Sequence, residues 1–229
     1  MKISIIIPTL NEAQNIGSLV RHLKNSADKN LLEIIVVDAQ STDNTEGVAS
    51  AAGAKVVQSP KRSRAAQMNF GAKNATGEVL YFVHADCFPP TTFIHDIEQA
   101  ILDGFPLGCY RYRFDSRLFL LKINAFFTRF PPLWCRGGDE TLFVTKAVFA
   151  ELGGYDEHFV IMEEYDFIKR ARAKFTLKLM PNYALVSARK YETNGYFRVQ
   201  LANLRAFRMY KKGVHPQKIA DTYKQLLSA

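Results

Sequence analysis

The sequence is short of the features that usually make a chain's chemistry easy to name. Its 229 residues hold 3 cysteines, Cys87, Cys109 and Cys135, with no CxxC spacing. This fits reduced cytosolic thiols better than a disulfide framework, with packing as the default role and Cys87 also a candidate to line a site beside Asp86. The 5 histidines are scattered and no HExxH occurs. There is no GxxxxGK[ST], no GxGxxG after the first apolar run and no GxSxG, which removes the P-loop, dinucleotide-binding and serine-hydrolase patterns. No run is apolar enough to cross a bilayer: the best candidate, Leu118 to Trp134, is broken by Lys122, Arg129, Pro131 and Pro132. The first residues read directly as a strand, so no cleavable leader is expected. Internal repeats, low-complexity tracts and linkers are missing too. Any site must be assembled from carboxylates, amides and basic groups.

What is present is an ordinary folded composition, 48% hydrophobic and 23% charged, long enough for one large domain. The net charge of +8 and pI near 9.4 suit an anionic partner such as a nucleotide, a nucleic acid or a membrane surface, or simply a solvated basic exterior. No RRM, KH or helix-turn-helix signature supports nucleic acid, and none is expected as a partner.

Three apolar runs end on polar or acidic clusters. Ser4 to Ile7 leads into Pro8-Thr9-Leu10-Asn11-Glu12, Glu33 to Val37 into Asp38-Ala39-Gln40-Ser41-Thr42-Asp43, and Val79 to Val83 into His84-Ala85-Asp86. Short β-branched runs without polar alternation read as strands buried on both faces. In open α/β sheets ligands bind beyond the carboxyl ends of such strands, so Asn11, Glu12, Asp38, Asp43 and Asp86 are placed on one rim. Carboxylates gathered there ask for a counter-charge, most simply a divalent cation carrying a phosphate ligand.

Between these runs the spacing predicts helices over 15–27, from about 42 to 52 with Gly53 as the stop, over 64–75 and over 91–102, with strands over 54–58 and 106–114. This alternation implies α/β architecture with a mostly parallel central sheet flanked by helices. After Phe114 the pattern changes: an aromatic-rich helix over 118–130, a turn at Arg136-Gly137-Gly138-Asp139-Glu140, a short helix over 146–152, and a helix over 162–175 with acids first and bases last, as the helix dipole prefers. Two further helices, 196–212 and 216–227, close the sequence. The economical division is a domain over 1–195, with a ligand-binding half over 1–114 and a second half over 115–195, and a C-terminal helical appendage over 196–229.

Taken in order, these segments resemble glycosyltransferase family 2. The residues that carry the resemblance are Ile5 to Glu12, Val36-Val37-Asp38 with Ser41 to Thr45, Arg64 to Ala72, Phe82 to Asp86, Gly153-Gly154-Tyr155-Asp156-Glu157 and Glu163-Glu164-Tyr165-Asp166, followed by Lys169-Arg170. They span about residues 3 to 175. Each motif is weak alone; their joint order and spacing are specific. The Arg-Ala-Ala-Gln-Met-Asn and His-Ala-Asp forms, with Gly138 to Phe143, look like a small bacterial subgroup.

The resemblance implies a GT-A fold and a nucleotide-diphosphate sugar, a UDP-sugar first, bound by the first half. Pro8, Thr9, Asn11 and Glu12 would line the nucleoside pocket. Asp38 would bond the base or ribose. Arg64 and Gln67 would reach toward base, ribose or phosphate, beside His84 and Ala85. The residues alone also allow Asn11 and Asp43 to be helix caps. Asp86 would hold Mn²⁺ or Mg²⁺ against the diphosphate. His84 replaces the family's usual first acid, and can ligate the metal, bond a phosphate oxygen or pack beneath the loop. Glu164 falls on the family's catalytic base, where it would stay ionised near Lys169 and Arg170 and take the acceptor's proton. Trp134, Gly138, Asp139, Glu140 and Glu163 fall near the acceptor. Trp134 also reads as core or rim packing, and Arg111 and Arg113 as phosphate contacts or a solvated strand face.

The implied enzyme is an inverting, metal-dependent glycosyltransferase acting on a glycan, lipid or small-molecule acceptor. Two rivals stay open. Asp38-Ala39-Gln40-Ser41-Thr42 is a faint match to DxDxT, which would make Asp38 the nucleophile of a phosphohydrolase or phosphotransferase. A non-catalytic nucleotide-binding protein is the other. The expected location is the cytoplasm. The basic amphipathic tail, 196–229, leaves open packing on the sheet edge, a homodimer, and peripheral contact with the inner face of the membrane.

Overall fold

A computed structural model describes residues 1–136 and 140–228. Along the chain it runs β1 (Ile3–Thr9), α1 (Ala13–Asn25), β2 (Leu31–Asp38), α2 (Thr45–Ala51), β3 (Lys55–Gln58), α3 (Arg64–Asn74), β4 (Val79–Phe82), β5 (Cys87–Phe88), α4 (Phe93–Leu102) and β6 (Leu107–Asp115). It continues through α5 (Phe119–Phe127), a 3-10 turn at Leu133–Cys135, β7 (Leu142–Thr145), α6 (Lys146–Glu151), α7 (Glu163–Arg172), β8 (Lys178–Ser187), α8 (Arg189–Asn194), α9 (Tyr196–Lys211) and α10 (Pro216–Ser228).

The described strands form one sheet in the order β3-β2-β1-β4-β7-β6-β8-β5. Pairs β1–β2, β1–β4, β2–β3 and β6–β8 are parallel; β4–β7, β6–β7 and β5–β8 are antiparallel. Every residue of β1 is buried, as its unbroken apolar run requires. Ile5, Ile7, Val36 and Tyr81 face one core, filled by α1 and α4. Ile6, Ile35, Val37, Leu80 and Phe82 face the other, filled by α3 and α7. Full burial of one such side chain contributes about 1.5–3 kcal/mol, so the run itself places β1 in the interior of the sheet, between β2 and β4. Gly71 lets α3 sit down on β1: a Cβ there would stand 2.4 Å from Ile6 Cγ2.

The helices expected from periodicity are present, with no end shifted by more than three residues. The expectation missed β5, β7, β8 and α8. β7 and β8 lie in the second half, where buried and part-exposed positions mix and the apolar runs are short. Among the described residues no helix is long and apolar enough to cross a membrane.

Candidate active site

Thr9 and Asp38 are register partners, so β1 and β2 end level, with β4 on the other side of β1. The loops beyond them are stitched together. Asn11, in the left-handed region at φ 56, accepts through Oδ1 from the Thr42 N–H at 2.8 Å, while its own N–H donates to Ser41 Oγ at 2.8 Å. Asp38 is fully buried and accepts from the Ser41 N–H at 2.7 Å, Ser41 Oγ at 2.5 Å and Thr9 Oγ1 at 3.1 Å. Asp43 accepts from the Thr45 N–H at 3.0 Å and, through its other oxygen, from the Ala13 N–H at 3.1 Å. The Thr45 hydroxyl bond is the main reason its carboxyl sits below the usual range. Asp43 therefore serves the starts of both α1 and α2, and Asn11 acts as a loop clasp instead of a cap. Neither Asn11 nor Asp38 lines the cavity above; they hold its wall from behind.

That cavity, about 570 Å³, is lined by Pro8, Thr9 and Glu12 from the first loop, Arg64 and Gln67 from α3, and His84, Ala85 and Asp86 after β4. Gln67 is nearly buried. Its amide donates to the Thr9 and Val37 carbonyls at 2.8 and 2.7 Å, which fixes the ends of β1 and β2. The sequence reading missed the opposite wall, Ser187 to Asn194, and also Arg62. Arg189 closes across the mouth to Glu12, Nη2 to Oε1 3.1 Å. Arg62, Arg64, Arg189 and Lys190 thus bring four cationic side chains to one cavity whose lining acids are Glu12 and Asp86. The only signal in the sequence was a basic pair, Arg189-Lys190, just after an apolar run.

A second cavity of about 430 Å³ adjoins the first, and Arg64, Lys190 and Tyr191 line both. Its walls are largely aromatic, with Tyr112, Phe127, Trp134, Tyr165 and Phe207, and Glu164 opens onto it. Glu164 stands in the first turn of α7, which begins directly after Met162, a residue in the left-handed region at φ 67. A non-glycine residue held there is strained, and such strain clusters at functional sites. Glu164 Oε1 lies 2.7 Å from His84 Nε2. Burial pushes the Glu164 carboxyl up, Glu163 adds to this, and His84 and Arg64 oppose it. The expected help from Lys169 and Arg170 is not what the fold provides. Arg170 turns to Asp166 at 2.7 Å and to the Leu152 and Gly154 carbonyls. Burial and His84, not the distal bases of the helix, set the state of Glu164.

The remaining expected residues divide. Trp134 is on the rim of the second cavity, against Phe127 with ring centroids 5.9 Å apart. Glu163 is buried and accepts from Arg64 Nη1 at 3.2 Å, so it orients the arginine shared by both cavities. Glu140 lies under the floor, 3.1 Å from the buried Arg136 guanidinium, and does not reach either cavity. Gly138 and Asp139 lie outside the described residues. Cys87 is buried in β5 and lines neither cavity. Arg111 and Arg113 stand away from the first cavity; Arg111 donates to the Pro181 carbonyl and Arg113 lines a separate pocket beside α5.

Among the described residues no group of three His, Cys, Asp or Glu could hold a metal ion unaided. The donor set still fits one kind of metal. Mg²⁺ and Mn²⁺ at nucleotide sites take one or two carboxylates and complete their shell with phosphate oxygens and water. Asp86 faces the cavity, and among the described residues no side chain is bonded to its carboxylate. His84, committed to Glu164, is not needed for that set.

A family model described as Glycosyl transferase family 2 matches residues 4–149. Glucosyl-3-phosphoglycerate synthase of Mycolicibacterium smegmatis is 34% identical over 122 residues, 48% of this chain and 40% of the relative. An uncharacterized glycosyltransferase of Rickettsia typhi is 28% identical over 182 residues, 72% of this chain and 56% of the relative. The chain thus spans about half the length of these curated relatives or less. Among solved structures, residues 1–349 of S. aureus TarS superpose with a TM-score of 0.67 at 18% identity, covering 88% of this chain and 64% of that one. Glucosyl-3-phosphoglycerate synthase of Mycobacterium tuberculosis, solved with Mn²⁺, UDP and glucosyl-3-phosphoglycerate, gives a TM-score of 0.60 at 19% identity and covers 93% and 80%. At such identities the likeness is one of fold.

Proposed function

The chain belongs to glycosyl transferase family 2, and from that premise we propose that it moves a sugar from a nucleoside-diphosphate donor to an acceptor hydroxyl with inversion. UDP-sugars come first because the M. tuberculosis relative was also solved with UDP-glucose, Mn²⁺ and phosphoglyceric acid. One observation carries the reading. His84 lines the first cavity, Glu164 opens onto the second, and the two side chains are 2.7 Å apart. A carboxylate base therefore stands at the boundary between a cationic pocket suited to a diphosphate and an aromatic pocket suited to an acceptor.

In this reading residues 1–114 bind the donor together with Arg189 and Lys190, 115–195 supply the base and most of the acceptor pocket, and 196–229 is an appendage of the same domain whose first helix adds Leu204 and Phe207 to that pocket. Arg62, Arg64, Arg189 and Lys190 hold the diphosphate by charge. Asp86 would hold the divalent cation, which when bound offsets the charge that develops on the departing diphosphate. Glu164 takes the proton from the acceptor hydroxyl as that oxygen bonds to the anomeric carbon. The bond from the anomeric carbon to the phosphate oxygen breaks, and its electron pair leaves with the nucleoside diphosphate. A single displacement needs no protein nucleophile. Trp134 and the other aromatic rings offer faces on which an acceptor ring can stack. A nucleophilic Asp38 fits less well, since its buried carboxylate is spent on Ser41 and Thr9.

A thermal-shift panel of nucleoside diphosphates and their sugars, with and without Mn²⁺, tests the donor half. A selective, metal-enhanced shift is expected for one base. No shift with any nucleotide would overturn the reading.

A further inference from the structure

Two segments, 116–136 and 193–220, contain no acidic residue. The fold brings them to two walls of one cavity: the first supplies α5 with Asn124 and Phe127, the second α9 with Leu204 and Phe207, and the Tyr196 hydroxyl donates to Asn124 Oδ1 at 2.9 Å between them. Each helix buries only small or few side chains, Leu121 and Ala125 on α5, and Val199, Ala202 and Ala206 on α9. Three large apolar residues on each helix point outward. On α9, Phe197, Leu201 and Leu204 are spaced i, i+4, i+7 along one exposed stripe, and Phe119, Ile123 and Phe126 make the equivalent stripe on α5. Phe119 is 70% exposed and Phe197 78%. Among them stand exposed Lys122, Arg129, Arg205 and Arg208, with the Arg129 guanidinium 4.1 Å above the Phe126 ring.

We propose that this α5–α9 face docks on an anionic lipid surface. The phenylalanines and leucines enter the boundary between headgroups and acyl chains, and the lysines and arginines meet lipid phosphates. The charge pattern selects this occupant. A second copy docking through the same face would set cation against cation, because neither helix carries an acid to answer them. A nucleic acid would satisfy the cations but leave Phe119 and Phe197 in water. An anionic bilayer satisfies both at once. Phe127 and Leu204, one from each helix, also line the aromatic cavity, so docking turns the mouth of that cavity toward the headgroups.

Flotation of the full chain with vesicles of phosphatidylcholine and phosphatidylglycerol tests the proposal, and needs no nucleotide or acceptor. Binding is expected with the mixed vesicles, weakening as salt rises, and far less with phosphatidylcholine alone. The double variant F119E/F197E, at two exposed positions, is expected to lose about tenfold or more of the partitioning while melting like the parent. K122E/R205E provides a second variant and is expected to lose binding as well. Absence of flotation with the mixed vesicles would overturn the proposal, as would flotation unchanged by either pair. A concentration-dependent dimer in light scattering, broken by F119E/F197E and seen without vesicle binding, would assign the face to a second copy and overturn it too.

Discussion

His84 Nε2 and Glu164 Oε1 meet at 2.7 Å across 80 residues of sequence, one after β4 and the other in the first turn of α7. The contact gives His84 a task other than holding a metal, and it separates two roles by experiment. His84→Ala should leave Mn²⁺-dependent UDP binding within about twofold while turnover falls about 10–100-fold, the usual cost of removing the partner that orients a functional group. Asp86→Asn should lose the metal-dependent part of the UDP shift. Calorimetry with UDP and Mn²⁺, set beside donor turnover, reads both. The reverse pattern would make His84 the ligand.

Glu164→Gln should abolish turnover and yet not weaken the fold at neutral pH. Burial holds the Glu164 carboxyl above its ordinary range. The sign follows: the folded state holds this proton more tightly than the unfolded chain. Its stabilising contribution is complete below the unfolded pKa, about 4.3, and is lost as pH rises through the raised folded value. Glutamine cannot ionise and escapes that loss. Melting curves from pH 4 to pH 8 should therefore show the variant gaining on the parent as pH rises. A variant that loses ground with rising pH would mean that the ionised carboxylate is a net stabiliser here.

Apart from the two-residue β5, the strands and helices of residues 3–115 were legible because they rest on one-dimensional signals: unbroken β-branched runs, and apolar spacing with a stop such as Gly53. The carboxylates at the strand ends were legible for the same reason, but which of them face the cavity was not. Asp38 and Asn11 turn away because Ser41, Thr9 and Thr42 offer them local partners, a choice made by loop conformation and the left-handed backbone of Asn11. The wall from Ser187 to Asn194 was invisible because it approaches Glu12 only when β8 joins the sheet beside β6, a pairing with no local signature.

Arg189→Ala should separate binding from stability. The Arg189 side chain is more than half exposed, so its 3.1 Å ion pair with Glu12 contributes at most about 1 kcal/mol and the Tm should fall by no more than about 4 °C. A charge-assisted contact to a diphosphate contributes about 1.5–3 kcal/mol, so the UDP Kd should rise about tenfold or more. The effect should shrink at high salt. Unchanged affinity in a salt titration would remove Arg189 from the diphosphate pocket.

Asn69 and Tyr155 exchange two hydrogen bonds, the Tyr155 N–H to Asn69 Oδ1 at 2.9 Å and the Asn69 amide to the Tyr155 carbonyl at 2.8 Å, and so tie α3 to the Gly153-Gly154 turn. Gly154 lies in the left-handed region at φ +69, and a Cβ there would stand 2.8 Å from Asn69 Oδ1. Gly154→Ala should therefore cost about 1–2 kcal/mol for the backbone and more for the displaced amide, roughly 2–4 kcal/mol together. Asn69→Ala should cost about 2–3 kcal/mol by leaving the Tyr155 backbone groups without their partner. The double variant should cost less than the sum, because alanine at 69 removes the oxygen that the new methyl strikes. Urea denaturation of the four proteins measures the cycle. Strict additivity would mean that the Gly154 requirement is backbone conformation alone, with no share from its contact with Asn69.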